Sequence, residues 1–148
     1  MTGKSFRACF EVFFLATLLV GCGIHDGGSD IDSYPSIANV AISPTTAPQN
    51  QGGGAINVNL TMNFADPGGD IASFTVNIYD QNNNQLSTST YPLLGYSGVL
   101  SGTINGIIVA RTDTVGTYTY KVFVTDNFGE ISNVVAVEFT VTAPSTPP

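Results

Sequence analysis

The sequence predicts an all-β chain, an antiparallel two-sheet sandwich of about seven to eight strands behind a cleaved leader. Two observations carry this. Apolar residues recur at every second position through most of the chain, the period of a half-buried strand, and no segment after residue 21 shows the 3.6-residue period of a helix. Turn chemistry then cuts the alternating runs into strand-length pieces at the spacing expected of a sandwich.

The clearest run is Ile56, Val58, Leu60, Met62 and Phe64, alternating with Asn57, Asn59, Thr61 and Asn63. One face is core and the other amide-rich. Phe74, Val76 and Ile78 repeat the pattern, followed by Tyr118, Tyr120, Val122 and Val124, and by Val135, Val137, Phe139 and Val141. Between them lie Asp66-Pro67-Gly68-Gly69-Asp70, Asp80-Gln81-Asn82-Asn83-Asn84 and Asp126-Asn127-Phe128-Gly129-Glu130, where Asp and Asn close side-chain turns and Gly accepts positive φ. Shorter strands are expected at about 36–43, 85–90 and 97–109.

The amino-terminal residues read as an address. Lys4 and Arg7 precede the apolar run Val12 to Val20, which ends on Gly21 and Cys22. As a helix this run reaches only about 14 Å, short of a hydrocarbon core of roughly 30 Å, so it does not span a bilayer. The layout is that of a secretory signal. Cys9 lies inside the segment to be removed, which leaves Cys22 without a disulfide partner in the mature chain. Leu19-Val20-Gly21-Cys22 resembles the lipobox of bacterial lipoproteins. The resemblance implies cleavage before Cys22, a diacylglyceryl thioether on its sulfur and an acylated new amino terminus, with palmitate-type chains. Several acyl chains exceed the two-signal threshold for stable anchoring. Gly23 after the cysteine resembles cargo passed to the outer membrane.

The expected organisation is therefore a signal peptide at 1–21, an acylated tether at 22–35, one sandwich domain at 36–142 and a Pro-rich tail at 143–148. The mature chain keeps Arg111 and Lys121 against ten Asp and Glu, a formal charge of about −8. Such a surface repels nucleic acid and anionic headgroups, so no nucleic-acid partner is expected.

Gly116-Thr117-Tyr118-Thr119-Tyr120-Lys121-Val122-Phe123-Val124-Thr125-Asp126-Asn127-Phe128-Gly129 is similar to the last hairpin of polycystic-kidney-disease (PKD) domains and related bacterial immunoglobulin-like modules. Asp66 to Phe74 resembles the turn that opens the third strand in the same group. Where that family carries Trp-Asp-Phe-Gly-Asp-Gly, this chain reads Val76-Asn77-Ile78-Tyr79-Asp80-Gln81. The resemblance implies an immunoglobulin-like sandwich in which Tyr118 forms a corner, bonding its hydroxyl to nearby backbone.

Catalytic groups are scarce. The single histidine, His25, falls in the tether, and no histidine or second lysine is available in the domain to activate a Ser or Thr, so no catalytic residue is assigned and no enzyme is expected. Lys121 alternates with inward Tyr120 and Val122 and is expected to face solvent. Asp66, Asp70, Asp126 and Glu130 are candidate calcium ligands, because the ion wants six to eight oxygens and Asp-rich turns supply them, though the same sequences are ordinary turns. Tyr91, Leu93, Leu94 and Tyr96 form an apolar, non-alternating stretch, read either as a lid over one end of the sandwich or as an exposed binding patch. The function these readings support is a membrane-anchored envelope lipoprotein displaying a non-catalytic binding or structural module. An accessory subunit of a larger envelope complex and a carbohydrate-associated surface protein are the alternatives.

Overall fold

The computed structural model describes residues 34–144. Cys22, the signal segment and the tether up to residue 33 lie outside the described residues, as do residues 145–148 of the tail.

Eight strands follow in order: β1 (Ser36–Ser43), β2 (Thr46–Pro48), β3 (Ala55–Ala65), β4 (Ile71–Tyr79), β5 (Gln85–Pro92), β6 (Ser101–Arg111), β7 (Gly116–Asp126) and β8 (Val135–Thr142). One sheet has the order β1-β3-β6 and the other β2-β8-β7-β4-β5. All pairings are antiparallel except that of β2 with β8. This order places the A, B and E strands of an immunoglobulin sandwich on one sheet, and C, F and G with an added C′ strand on the other. The domain is an immunoglobulin-like β-sandwich.

The period-2 pattern sets the layers. Val58, Leu60, Met62 and Phe64 of β3 are buried, and the intervening Asn57, Asn59, Thr61 and Asn63 are exposed. Ile104, Ile108 and Ala110 of β6 continue this inner face, and Val122, Val124, Phe139 and Val141 come to meet it from the opposite sheet. Tyr120 and Phe139 pack edge to face at 6.3 Å in the centre. Burial pushes the Tyr120 phenol up to about 12, with Tyr118 adding to the shift, so it stays neutral. Gly106 is required by close approach, since a Cβ there would sit 2.9 Å from the Phe74 ring. This contact also shows that β6 stacks on β4.

Two of the expected strands differ in their bounds, and β2 was not expected at all. β5 runs on through Tyr91 and Pro92, where a break is expected at the proline; β5 is an edge, and an edge strand tolerates the missing donor. β6 begins at Ser101 and not near 97, because Gly95 and Gly98 take positive φ and keep the connection out of the sheet. Lys121 faces outward as expected, its Nζ 4.1 Å from the centre of the Tyr79 ring.

Candidate functional site

Three turns share one construction. In each, an Asp at position i accepts backbone N–H groups from i+2 and i+4 on its carboxylate, while its own carbonyl accepts the N–H of i+3. Gly68 and Asp70 donate to Asp66 at 3.2 and 2.7 Å. Asn82 and Asn84 donate to Asp80 at 2.9 and 2.8 Å, and Phe128 and Glu130 to Asp126 at 2.9 and 2.8 Å. Position i+3 is Gly69, Asn83 or Gly129, each with positive φ. The residue pattern is thus dictated by the turn: an acceptor at i and a residue that tolerates the left-handed region at i+3.

The first and third of these turns hold the four candidate calcium residues, and they lie side by side, since Ile71 pairs with Asp126 and Asn127 donates to the Asp70 carbonyl at 3.1 Å. The topology thus brings the two turns to the same end of the sandwich. Asp66 is fully buried and Asp126 nearly so, both occupied by the turn bonds just described. Asp80 makes the same bonds at a turn with no acidic neighbour among the candidates, so this geometry serves the backbone without an ion. Among the described residues, no group of three or more His, Cys, Asp or Glu side chains is arranged to hold a metal.

Asp70 is the exception in its surroundings. Its Oδ2 is buried without a hydrogen bond. Desolvation, then the neighbouring Asp126 and Asp66 charges, hold its carboxyl above the ordinary 3.8. A carboxyl whose folded value is raised binds its proton more tightly when folded, so its contribution to stability falls as pH rises through the window above 3.8. Asp70→Asn should therefore raise the melting temperature at neutral pH in the presence of a chelator, with the gain closing as pH drops below that value. A melt lowered by the substitution only in millimolar calcium would instead mark Asp70 as an ion ligand.

The Tyr91 to Tyr96 stretch divides. Tyr91 stacks on Phe74 at 4.7 Å and 13°, and Tyr96 meets Phe64 edge to face at 5.5 Å. Leu93 is half-buried against the core and its N–H donates to the Ala72 carbonyl at 2.7 Å. These three cover one end of the inner layer. Leu94 does not, being 87% exposed. The stretch is thus neither wholly lid nor wholly patch, because three side chains turn inward and the fourth points to water. Leu93→Asp should destabilise the domain by about 1–3 kcal/mol, a charge losing hydration against packed apolar atoms. Leu94→Asp should stay within about 0.5 kcal/mol in the same denaturation experiment.

A site that the sequence reading missed lies between the two sheets at their open side. A cleft of about 520 Å³ separates the free edges of β5 and β6. Its floor is Val76, Ile78, Ile108 and Tyr120, and its rims are Ser87 and Ser89 on β5 and Val109 and Arg111 on β6. Arg111 forks onto Asp113 at 3.2 and 2.7 Å, and this bond holds the Asp113 carboxyl below its ordinary value. Tyr118 at the mouth donates to the Thr114 carbonyl at 2.9 Å, the corner expected of this tyrosine. The lining contains no histidine, cysteine or lysine, and its one carboxylate is engaged by Arg111. Such walls can hold an apolar or hydroxyl-bearing ligand but present no base and nucleophile pair. The signal available in the sequence was Ser87 and Ser89, polar residues at the inward positions of a strand, which mark a stretch with no layer facing it.

No family model matches the chain, and no curated protein matches it. Among solved structures, it is similar to the PKD domain of an M14-like peptidase from Thermoplasmatales archaeon SCGC AB-540-F20, at 19% identity over 73% of this chain and 92% of that one, with a TM-score of 0.41. It is also similar to a CARDB domain from Pyrococcus furiosus solved in complex with di-metal ions, at 14% identity over 74% and 90%, with a TM-score of 0.36.

Proposed function

We propose that the protein is a lipid-anchored lipoprotein of the bacterial cell envelope, held at the outer membrane, whose sandwich acts as a non-catalytic binding module. The observation that carries the binding role is the cleft between β5 and β6, which offers an apolar floor and hydroxyl rims without reactive groups. The anchor reading is supported by Leu19-Val20-Gly21-Cys22 behind a short apolar run that begins after Lys4 and Arg7. The tether proposed at 22–35 joins that anchor to β1, which begins at Ser36. An accessory subunit of an envelope complex is the second reading, favoured by the outer edge of β6, which pairs with no strand among the described residues. Calcium remains a candidate ligand of the turns at Asp66, Asp70, Asp126 and Glu130, to be tested by the chelator comparison described for Asp70.

Cys22→Ser tests the anchor. Cells fed a fatty-acid analogue should label the parent chain and leave the variant unlabelled, with the variant uncleaved or released from membranes. Equal label in both chains would end the lipoprotein reading.

A further inference from the structure

We infer that the free edge of β6 seats an extended segment of another polypeptide, which adds one strand to the β1-β3-β6 sheet and lies beneath β5 in the cleft. The inference rests on the binding-module reading and names what that module binds.

Four strands end the two sheets: β1, β6, β2 and β5. An open edge presents unpaired N–H and C=O groups, and proteins blunt such edges with short strands, bulges, prolines and charges. Three of these edges carry such devices. The register of β1 slips between Ala38 and Ala41, where Asn39 has a φ of 53°. β2 has three residues and ends on Pro48. β5 slips between Ile78 and Tyr79 of its partner, with Leu86 displaced from the ladder, and ends on Pro92. β6 has none of them. Its eleven residues pair with β3 without a slip, contain no proline and carry a single charge, Arg111, at the end. Ile107 and Val109 stand more than half exposed along it.

The shape of the opening decides between occupants. β6 stacks on β4, as the approach of Gly106 to the Phe74 ring shows, so β5 overhangs by one strand and its inward Ser87 and Ser89 face no opposing strand. A second copy joined across β6 by a two-fold axis would bring its own β4 to the place that β5 fills. The overhang excludes that pairing and leaves room for a single strand. Main-chain bonds from β6 would give such a strand its affinity, and alternate side chains would enter the cleft. Its inward residues lie beneath Ser87 and Ser89 and beside half-buried Ile78 and Tyr91, and so must be apolar or hydroxyl-bearing. Charge complementarity fixes one end. The described residues hold seven Asp and Glu against Arg111 and Lys121. Asp113 lines the cleft, and Asp80 lies in an adjoining hollow that shares Leu86, Thr114 and Tyr118 with it. Hydrogen bonds from Asn84 and Arg111 hold these two carboxyls below their ordinary values and hence ionised at neutral pH. The partner is thus an alternating apolar and polar segment with Lys or Arg at the end beside Asp80, since Arg111 already neutralises Asp113.

Hydrogen exchange on the purified full chain tests this. The probe is a synthetic peptide of alternating Val and Thr, about nine residues long with a lysine at each end. Its control has the same sequence with alternate backbone nitrogens methylated, which removes the ladder donors and keeps the charge. Amides of residues 101–111 should slow by about tenfold or more with the probe and not with the control. Leu86→Lys and Val109→Lys, both at exposed positions, should abolish the protection while leaving the melt unchanged. No protection at millimolar peptide, equal protection by the methylated control, or protection confined to β5 or to the turns would overturn the inference. So would protection of β6 that rises with protein concentration alone, which would assign the edge to a second copy. None of these outcomes alters acylation at Cys22, which labelling reads separately.

Discussion

Phe139→Ala should destabilise the domain by about 3–5 kcal/mol, read as a lowered denaturation midpoint with little change in slope. Phe139 is fully buried in β8, meets Tyr120 edge to face, and sits opposite Tyr118 in the β7–β8 register. Removing the ring loses its transfer energy and opens a cavity that its neighbours cannot fill, because Val122, Val124 and Val141 are themselves fixed in paired strands. A domain of this size is stabilised by roughly 5–15 kcal/mol in all, so the variant should be partly unfolded at elevated temperature. A loss below about 1 kcal/mol would mean that Phe139 is not at the centre of the core.

Asp66→Ala should be nearly as damaging although it removes no apolar area. The carboxylate is wholly inaccessible and satisfies the N–H groups of Gly68 and Asp70, and each donor left without a partner costs about 1–3 kcal/mol. Asp66→Asn keeps one acceptor oxygen and should recover part of that loss. The comparison is made by chemical denaturation with chelator present. If both variants melt with the parent, the turn does not depend on this side chain, and the three-turn account fails at its most buried member.

The layers of the sandwich were legible because β3, β7 and β8 each bury one face and expose the other, and a period of two is visible without knowing any partner. The turns were legible for the same local reason, since Asp at the first position and Gly or Asn at the fourth satisfy bonds within five residues. Strand β2 was not legible. It has three residues, pairs parallel to β8 at the far end of the sequence, and carries no alternation to see. The inward turn of Tyr91, Leu93 and Tyr96 and the outward turn of Leu94 were also hidden, because they depend on where Phe74 and Phe64 stand. The cleft was hidden more deeply. Its existence follows from β5 pairing with β4 instead of β6, a choice between sheets that leaves Ser87 and Ser89 facing an opening, and no local pattern records that choice.

The proposed function joins a binding domain to a lipid anchor at Cys22. Intact mass measurement of the protein isolated from cell envelopes tests it most directly. The expected species begins at Cys22 and is heavier than residues 22–148 by a diacylglyceryl group and one further acyl chain. A chain that retains residues 1–21, or one cut elsewhere with no added lipid mass, would contradict it.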